Sequence, residues 1–476
     1  MSAGTLSGLQ QPEVTGALLD APLAVPAPDG VDELCERLAE VCRSATDPLE
    51  IAASLEFDGL NDQAVQAKYG FPDVFALAEE MHRRVPVRPT EPESPPDPWR
   101  QGFGHPALHG LLYSLPAVCF PAATGLLGGP GAITVLLVSM LASWSASQGL
   151  AYLGYLRLGR GDDAGTRHVL RWGMLVLLAG AAGAVCVAGT IASARPPALA
   201  FAVGQGLYLL SATVLMVLRA ERLMLVVLAP GCLAGAGFLV LGKPSGLALA
   251  TACALAATPL LGAALALWLT RGGERKALSG NEVLAALPSA LFGLLAALLI
   301  AFPVVPGWGA GGSGVNPGAL LAAIPLSLSM GAAEWTLYWY RRRCARLLRG
   351  TGHIGRFRRR STLILLAALA QYLTATVVLV AAVVAGATAL ELVDPKWTSA
   401  PQVVAYLALG GAMFLALLLQ TMGCRLVPLV ACGAAFAAEF TGRGFGVPAQ
   451  LVATGGLLLF LTLYAVAVLG KAIRHG

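Results

Sequence analysis

The chain has 476 residues, 56% of them hydrophobic and only 12% charged, with a formal net charge of +5 and a mean hydropathy of +0.70. A soluble domain carries roughly one quarter charged residues, and so much apolar surface cannot be hidden inside a water-soluble particle. The composition excludes a soluble cytosolic enzyme, a disordered chain and a collagen-like chain. It calls for an all-α polytopic membrane protein, whose 56 glycines suit helices that pack through small residues.

Residues 1–30 are rich in Pro, Gly and Ala without a period and read as a disordered tail. They lack a basic start followed by an apolar run, so no cleavable signal peptide is expected. Residues 31–87 form a small helical cytoplasmic module. Within VDELCERLAEVCRSA, Leu34, Leu38, Val41 and Cys42 share one helical stripe. Asp47-Pro48 opens a second helix at cap and first-turn positions. NDQAVQAKYG is a third, closed by Gly70, and PDVFALAEEMHRR a fourth that begins at Pro72. Residues 88–104, with RPTEPESPPDP, make a proline-rich linker.

Long uncharged stretches follow from His105, and each bilayer crossing needs about 20 apolar residues. The expected spans are 106–127, 131–156, 172–194, 197–218, 223–242, 246–270, 283–303, 317–340, 361–390, 399–424, 426–441 and 447–470, twelve in all. They divide into a six-helix bundle over 105–270, a linker over 271–282 and a second bundle over 283–476. Alternate loops on the side of the termini carry 21 Lys and Arg, and the opposite loops carry four: Arg195, Lys243, Lys396 and Arg443. That asymmetry places both termini in the cytoplasm of a cell-membrane protein.

Shifting the sequence by 189 residues overlays the loop after the second span on the loop after the eighth. Arg157 falls on Arg346, Leu158 on Leu347, Arg160 on Arg349, Gly161 on Gly350, Arg167 on Arg356 and Arg171 on Arg360. An internal repeat of six spans gives two halves of the same orientation, related by an axis along the membrane normal. The segment GLAYLGYLRLGRGDDAGTRHVLRW resembles the one after the second span in the multidrug/oligosaccharidyl-lipid/polysaccharide exporter (MOP) superfamily, and WTLYWYRRRCARLLRGTGHIGRFRRR looks like its second-half counterpart. The resemblance implies a central cavity between two bundles, with a short amphipathic helix leading into the third span. It departs from the superfamily's ion-coupled drug exporters in having no Asp in the first span. It also lacks the buried arginines of lipid II flippases.

Few charges fall inside the spans. Glu334 lies seven residues before Arg341, roughly 10 Å into the hydrocarbon at ~1.5 Å rise per residue. A carboxylate there needs a cavity, a partner or a proton. Arg341 and Tyr338 lie on its face, so Glu334 reads either as a coupling or substrate-orienting group or as a structural bond between helices. Glu439 with Arg443 at i+4 reads as a surface ion pair. Gln148, Gln205, Gln371 and Gln420 either line a polar route or bond across packed helices. His105 and His109 are expected at the interface, His105 ahead of a helix started by Pro106, with no metal site between them.

The eight loop arginines named above, four of them in a 341–360 loop that holds nine arginines and no acid, mark a cytoplasmic gate or hold anionic lipid headgroups. Without interleaved aromatics they do not suit nucleic acid. Gly237 to Pro244 mimics a phosphate loop, but Pro244 stands where magnesium needs a hydroxyl. No enzyme motif, cofactor site or metal site is expected. The sequence points to an alternating-access transporter or flippase for an amphipathic, lipid-linked glycan. A small-molecule or multidrug exporter, and a membrane scaffold whose residues 31–87 recruit a cytosolic partner, are the alternatives.

Overall fold

The computed structural model describes residues 30–85, 104–273, 278–305, 316–349, 354–389 and 399–469, apart from 46, 124, 126 and 130. The expected N-terminal tail and nearly all of the proline-rich linker lie outside the described residues. The chain divides into two compact units, residues 1–97 and 98–476.

In the first unit, capping chemistry sets the helices. Asp47 accepts the Leu49 N–H at 2.9 Å, ahead of a helix over Pro48–Phe57. Asn61 accepts from Ala64 at 2.9 Å, and that helix, Asp62–Tyr69, ends at Gly70 with φ +76°. Such a left-handed cap strains any residue with a Cβ. The next helix, Val74–Arg84, starts two residues later than expected, because Asp73 rather than Pro72 supplies the cap, accepting from Ala76 at 2.7 Å. The first expected helix is two, Gly30–Arg37 and Ala39–Ser44, with the backbone bent at Leu38 (φ −103°, ψ 26°). The bend lets Val31, Leu34 and Cys42 reach one core with Ile51, Leu55, Val65, Leu77 and Met81.

The second unit is all helix among its described residues, and nine of its helices are long and apolar enough to cross a membrane. These are the second span (Ala132–Leu158), third (Asp163–Ile191), fourth (Pro196–Val217), fifth (Glu221–Val240), sixth (Ser245–Leu269), seventh (Gly280–Ala301), ninth (Ile354–Ala389), tenth (Ala400–Thr421) and twelfth (Val447–Leu469). The eleventh, Leu426–Thr441, is the short one. The first and eighth are broken. The first runs as Gly104–Ser114, a 3-10 turn over Leu115–Val118, and Cys119–Ala122; Pro116 and Pro121 each remove a backbone donor there. The eighth runs as Pro317–Leu328 and Met330–Arg349, divided at Ser329 four residues after Pro325.

Helix ends differ from the expected spans for local reasons. Asp162 caps the third helix by accepting from Gly165 at 3.0 Å, so one continuous helix replaces the expected short amphipathic helix and third span. His105 lies inside the first helix, which starts at Gly104, not ahead of it.

Neighbouring helices repeat after six spans. In the first half the second packs on the third and fourth, the third on the fourth, the fourth on the sixth, and the fifth on the first and sixth. In the second half the eighth packs on the ninth and tenth, the ninth on the tenth, the tenth on the twelfth, and the eleventh on the seventh and twelfth. The most extensive contacts between the halves are second on seventh and first on eighth, which exchange under the same shift; Arg425, just before the eleventh, also lies 4.5 Å over the Tyr152 ring of the second. The apolar cores keep to the halves. One cluster runs from Leu112 to Ala266 and another from Leu299 to Leu469. A small cluster crosses over, joining Leu137 to Ala301 and Val305 at the ends opposite the arginine-rich loops.

Candidate functional site

Both crossings between the halves depend on glycine. A Cβ on Gly110 of the first span would lie 3.3 Å from the Gly331 Cα of the eighth. A Cβ on Gly293 of the seventh span would lie 2.6 Å from Gln148 Cγ and 3.3 Å from the Trp144 carbonyl of the second. Close backbone approach of this kind needs small residues. Ser145 adds a hydrogen bond of 2.9 Å to the Ala290 carbonyl across the same crossing.

On the arginine-rich side of each glycine contact lies an ionic tie, beside it at the first–eighth crossing and about three helical turns away at the second–seventh. His109 adjoins Gly110, and its Nδ1 bonds to Glu334, three residues beyond Gly331. The other ring nitrogen, Nε2, is 3.4 Å from Glu221 Oε1 at the start of the fifth span. One imidazole therefore joins two carboxylates from opposite halves, with side-chain exposures of only 12% for His109, 13% for Glu221 and 19% for Glu334. At the other crossing Arg157 donates to Glu282 at 2.8 Å and Arg160 donates to it at 2.5 Å. Arg157 also reaches Asp162 at 3.1 Å, and Glu282 closes a capping box with Ser279 at the start of the seventh span. Paired, hydrogen-bonded charges are the form in which ionised groups tolerate such burial.

Glu334 is thus bonded across the halves. Arg341 donates to the Thr421 carbonyl at 3.2 Å, tying the eighth span to the end of the tenth; Tyr338 is half-buried within electrostatic reach of that guanidinium. Among the amides, Gln148 is exposed, whereas Gln371 and Gln420 are half-buried. Gln205 keeps a buried Oε1 with no hydrogen bond among the described residues.

The loop arginines separate into different environments. Arg157 is buried and Arg160 exposed, Arg171 donates to the Leu267 carbonyl at 3.1 Å, and Arg167 lines an open pocket. Arg346 and Arg360 are exposed, and the side chains of Arg349 and Arg356 lie outside the described residues. The matching positions Arg157 and Arg346 therefore have unlike surroundings.

Glu439 corrects the expected surface pair. It is buried at 3% exposure, its Oε2 has no hydrogen bond among the described residues, and Arg443 instead lies 5.0 Å over the Phe440 ring. The helix ends at Thr441, so the i+4 geometry that would bring the two side chains together is not continued. Tyr406, donating to the Ile300 carbonyl at 3.1 Å, lies within electrostatic reach of Glu439 and next to the buried Gln450.

Sequence reasoning missed His109, Glu221 and Glu282 as partners. Glu282 did carry a signal, the Ser-x-x-Glu spacing of a capping box at Ser279. His109 and Glu221 stand 112 residues apart and carried none.

No family model matches the chain, and no curated protein matches it. Solved structures do. A MATE crystal structure in complex with Br-NRF is 16% identical, covering 78% of this chain and 96% of that one, with a TM-score of 0.43. A MOP superfamily transporter from Pyrococcus furiosus, described as having a binding pocket of reversed polarity that suggests a different function, is 15% identical over 78% and 95%, with a TM-score of 0.45. An outward-facing multidrug resistance MATE family transporter is 15% identical over 77% and 93%, at 0.43. The last two are described as transporters of the MOP superfamily.

Proposed function

We propose that the chain is an alternating-access secondary transporter whose two halves rock about the crossings of the first and eighth and of the second and seventh spans. The observation that carries this reading is the division of labour in the contacts between the halves. Each half has its own apolar core, while on the arginine-rich side the halves meet through glycine contacts, two ionic ties and the Arg425 guanidinium over the Tyr152 ring. An apolar core is costly to open, but a charged tie can exchange its partner for entering water. The ties therefore suit a gate that closes and opens while each half stays rigid.

The substrate is amphipathic, and an anionic lipid-linked molecule suits this protein better than a cationic drug. Arg346 and Arg360 are exposed on the side where the gate opens, and they repel cations and attract phosphate. Energy comes from an ion gradient, with Glu334 and the buried Glu439 as the carboxylates available to take up a proton.

Purified protein in liposomes with an imposed pH gradient tests the reading. A fluorescent polyprenyl phosphate, ethidium and a neutral dye are the probes. Gradient-dependent movement of the polyprenyl phosphate, lost in Glu334→Gln, supports the full reading. Movement of ethidium alone would make the protein a small-molecule exporter. Failure of all three probes, with the distance between the two halves unaffected by the gradient, would overturn transport in favour of a scaffold.

A further inference from the structure

A pocket of about 410 Å³ opens on the arginine-rich side of the first half, where the start of the third span meets the turn between the fourth and fifth and the end of the sixth. Its lining pairs charge with apolar surface: Arg167, Arg219 and Arg222 with Leu218, Leu223 and Leu269. The three arginines come from two separate stretches of chain, and all are exposed. None of their side chains makes a hydrogen bond or ion pair among the described residues, in contrast to Arg157, Arg160 and Arg171 nearby. One carboxylate lines the pocket, Glu221, and it faces His109 of the first span at 3.4 Å.

Three arginines lining one cavity, with a single carboxylate that already has a partner, form a site for an anion with several oxygens. Arg recognises phosphate through paired N–H donors. The fifth helix, 20 residues long, begins at Glu221 and adds the positive end of its dipole. The three leucines discriminate among phosphate ligands. A free inorganic anion gains nothing from them, whereas a phospholipid lays its first methylenes there, and Leu223 is 45% exposed at the head of a membrane-crossing helix.

We infer that this pocket binds a phosphate ester, the headgroup of an anionic membrane phospholipid, held by Arg167, Arg219 and Arg222. The site is separate from any transported substrate and does not depend on transport. Its single acidic wall, Glu221, is also a member of the His109–Glu334 tie, so the bound headgroup sits beside the gate between the halves.

Binding decides it without a transport assay. The full chain in neutral detergent is titrated with dioctanoyl phosphatidylglycerol, dioctanoyl phosphatidylcholine and inorganic phosphate. Phosphatidylglycerol should bind at least tenfold more tightly than either of the others. Arg167→Gln, Arg219→Gln and Arg222→Gln together should weaken it at least tenfold. Removing equal charge elsewhere, with Arg343→Gln, Arg358→Gln and Arg359→Gln, should leave it within twofold. Equal weakening in both triple variants would make the effect one of net charge and overturn the site. Inorganic phosphate competing at the same concentration as phosphatidylglycerol would overturn the lipid assignment. Should the first triple variant fail to fold, Arg222→Gln alone is titrated, and a change below twofold overturns the proposal.

Discussion

Glu282→Gln tests the gate directly. The carboxylate accepts from Arg157 at 2.8 Å and from Arg160 at 2.5 Å, and its side chain is 10% exposed. The amide keeps the size and an acceptor for the Ser279 N–H, which bonds Glu282 at 3.1 Å, so the cap and the fold survive. What is lost is charge: buried Arg157 keeps Asp162 at 3.1 Å but loses its ionic partner at position 282. Truncating one partner of a hydrogen-bonded buried pair costs ~2–5 kcal/mol. The site lies at the end of its helices and Arg160 is 55% exposed, so the low end, ~2 kcal/mol, applies. At ~1.4 kcal/mol per decade the ratio of closed to open forms falls about 30-fold. Electron–electron distances between spin labels at Asp163 and Asn281, both exposed, in a chain with its native cysteines replaced, read that ratio. The variant should show a longer distance population that the parent lacks, and Arg157→Gln should show the same one. Identical distributions in all three proteins would refute the idea that this tie holds the halves together.

Gly293→Val should lower the thermal midpoint, because its Cβ would lie 2.6 Å from Gln148 Cγ; overpacking costs ~1–3 kcal/mol, and adding Gln148→Ala should restore part of it. Glu439→Gln should leave the thermal midpoint unchanged or raise it, since an unpaired buried carboxylate becomes a neutral amide, while abolishing gradient-driven movement in the liposome assay. In the first unit, Leu77→Ala deletes a fully buried side chain and should cost ~2–5 kcal/mol, read as loss of the cooperative unfolding transition of a 1–97 fragment. The same fragment should weaken in acid. Hydrogen bonds from Arg83 and Arg84 hold the Glu80 carboxyl down at about 2. A carboxyl depressed in the fold stabilises fully above its unfolded value of roughly 4.3 and loses that contribution as pH falls through the lower one. Arg83→Gln together with Arg84→Gln should remove this acid dependence, and a carboxyl titration that stays near 4.3 in the parent would contradict the assignment.

Membrane class, the span pattern and the six-span repeat were legible in the sequence because each depends on local quantities. Twenty apolar residues must be helical in lipid whatever their neighbours, since no water remains to satisfy the backbone. Caps such as Asp47 and Asn61 act within three residues of themselves. Glu334 stood out for a local reason as well, a charge inside an apolar run. Its partner did not, because His109 lies 225 residues away and a histidine near a helix start is unremarkable alone. Tertiary structure decided which charges meet. Spans two and seven and spans one and eight pair through Gly110, Gly331 and Gly293, and only that register brings Glu282 to Arg157. It also buried Glu439 away from Arg443 and gave the matching loop arginines Arg157 and Arg346 different surroundings. Apolar periodicity fixes which face of a helix is buried, but the pairing of sparse polar groups depends on packing between helices far apart in the chain.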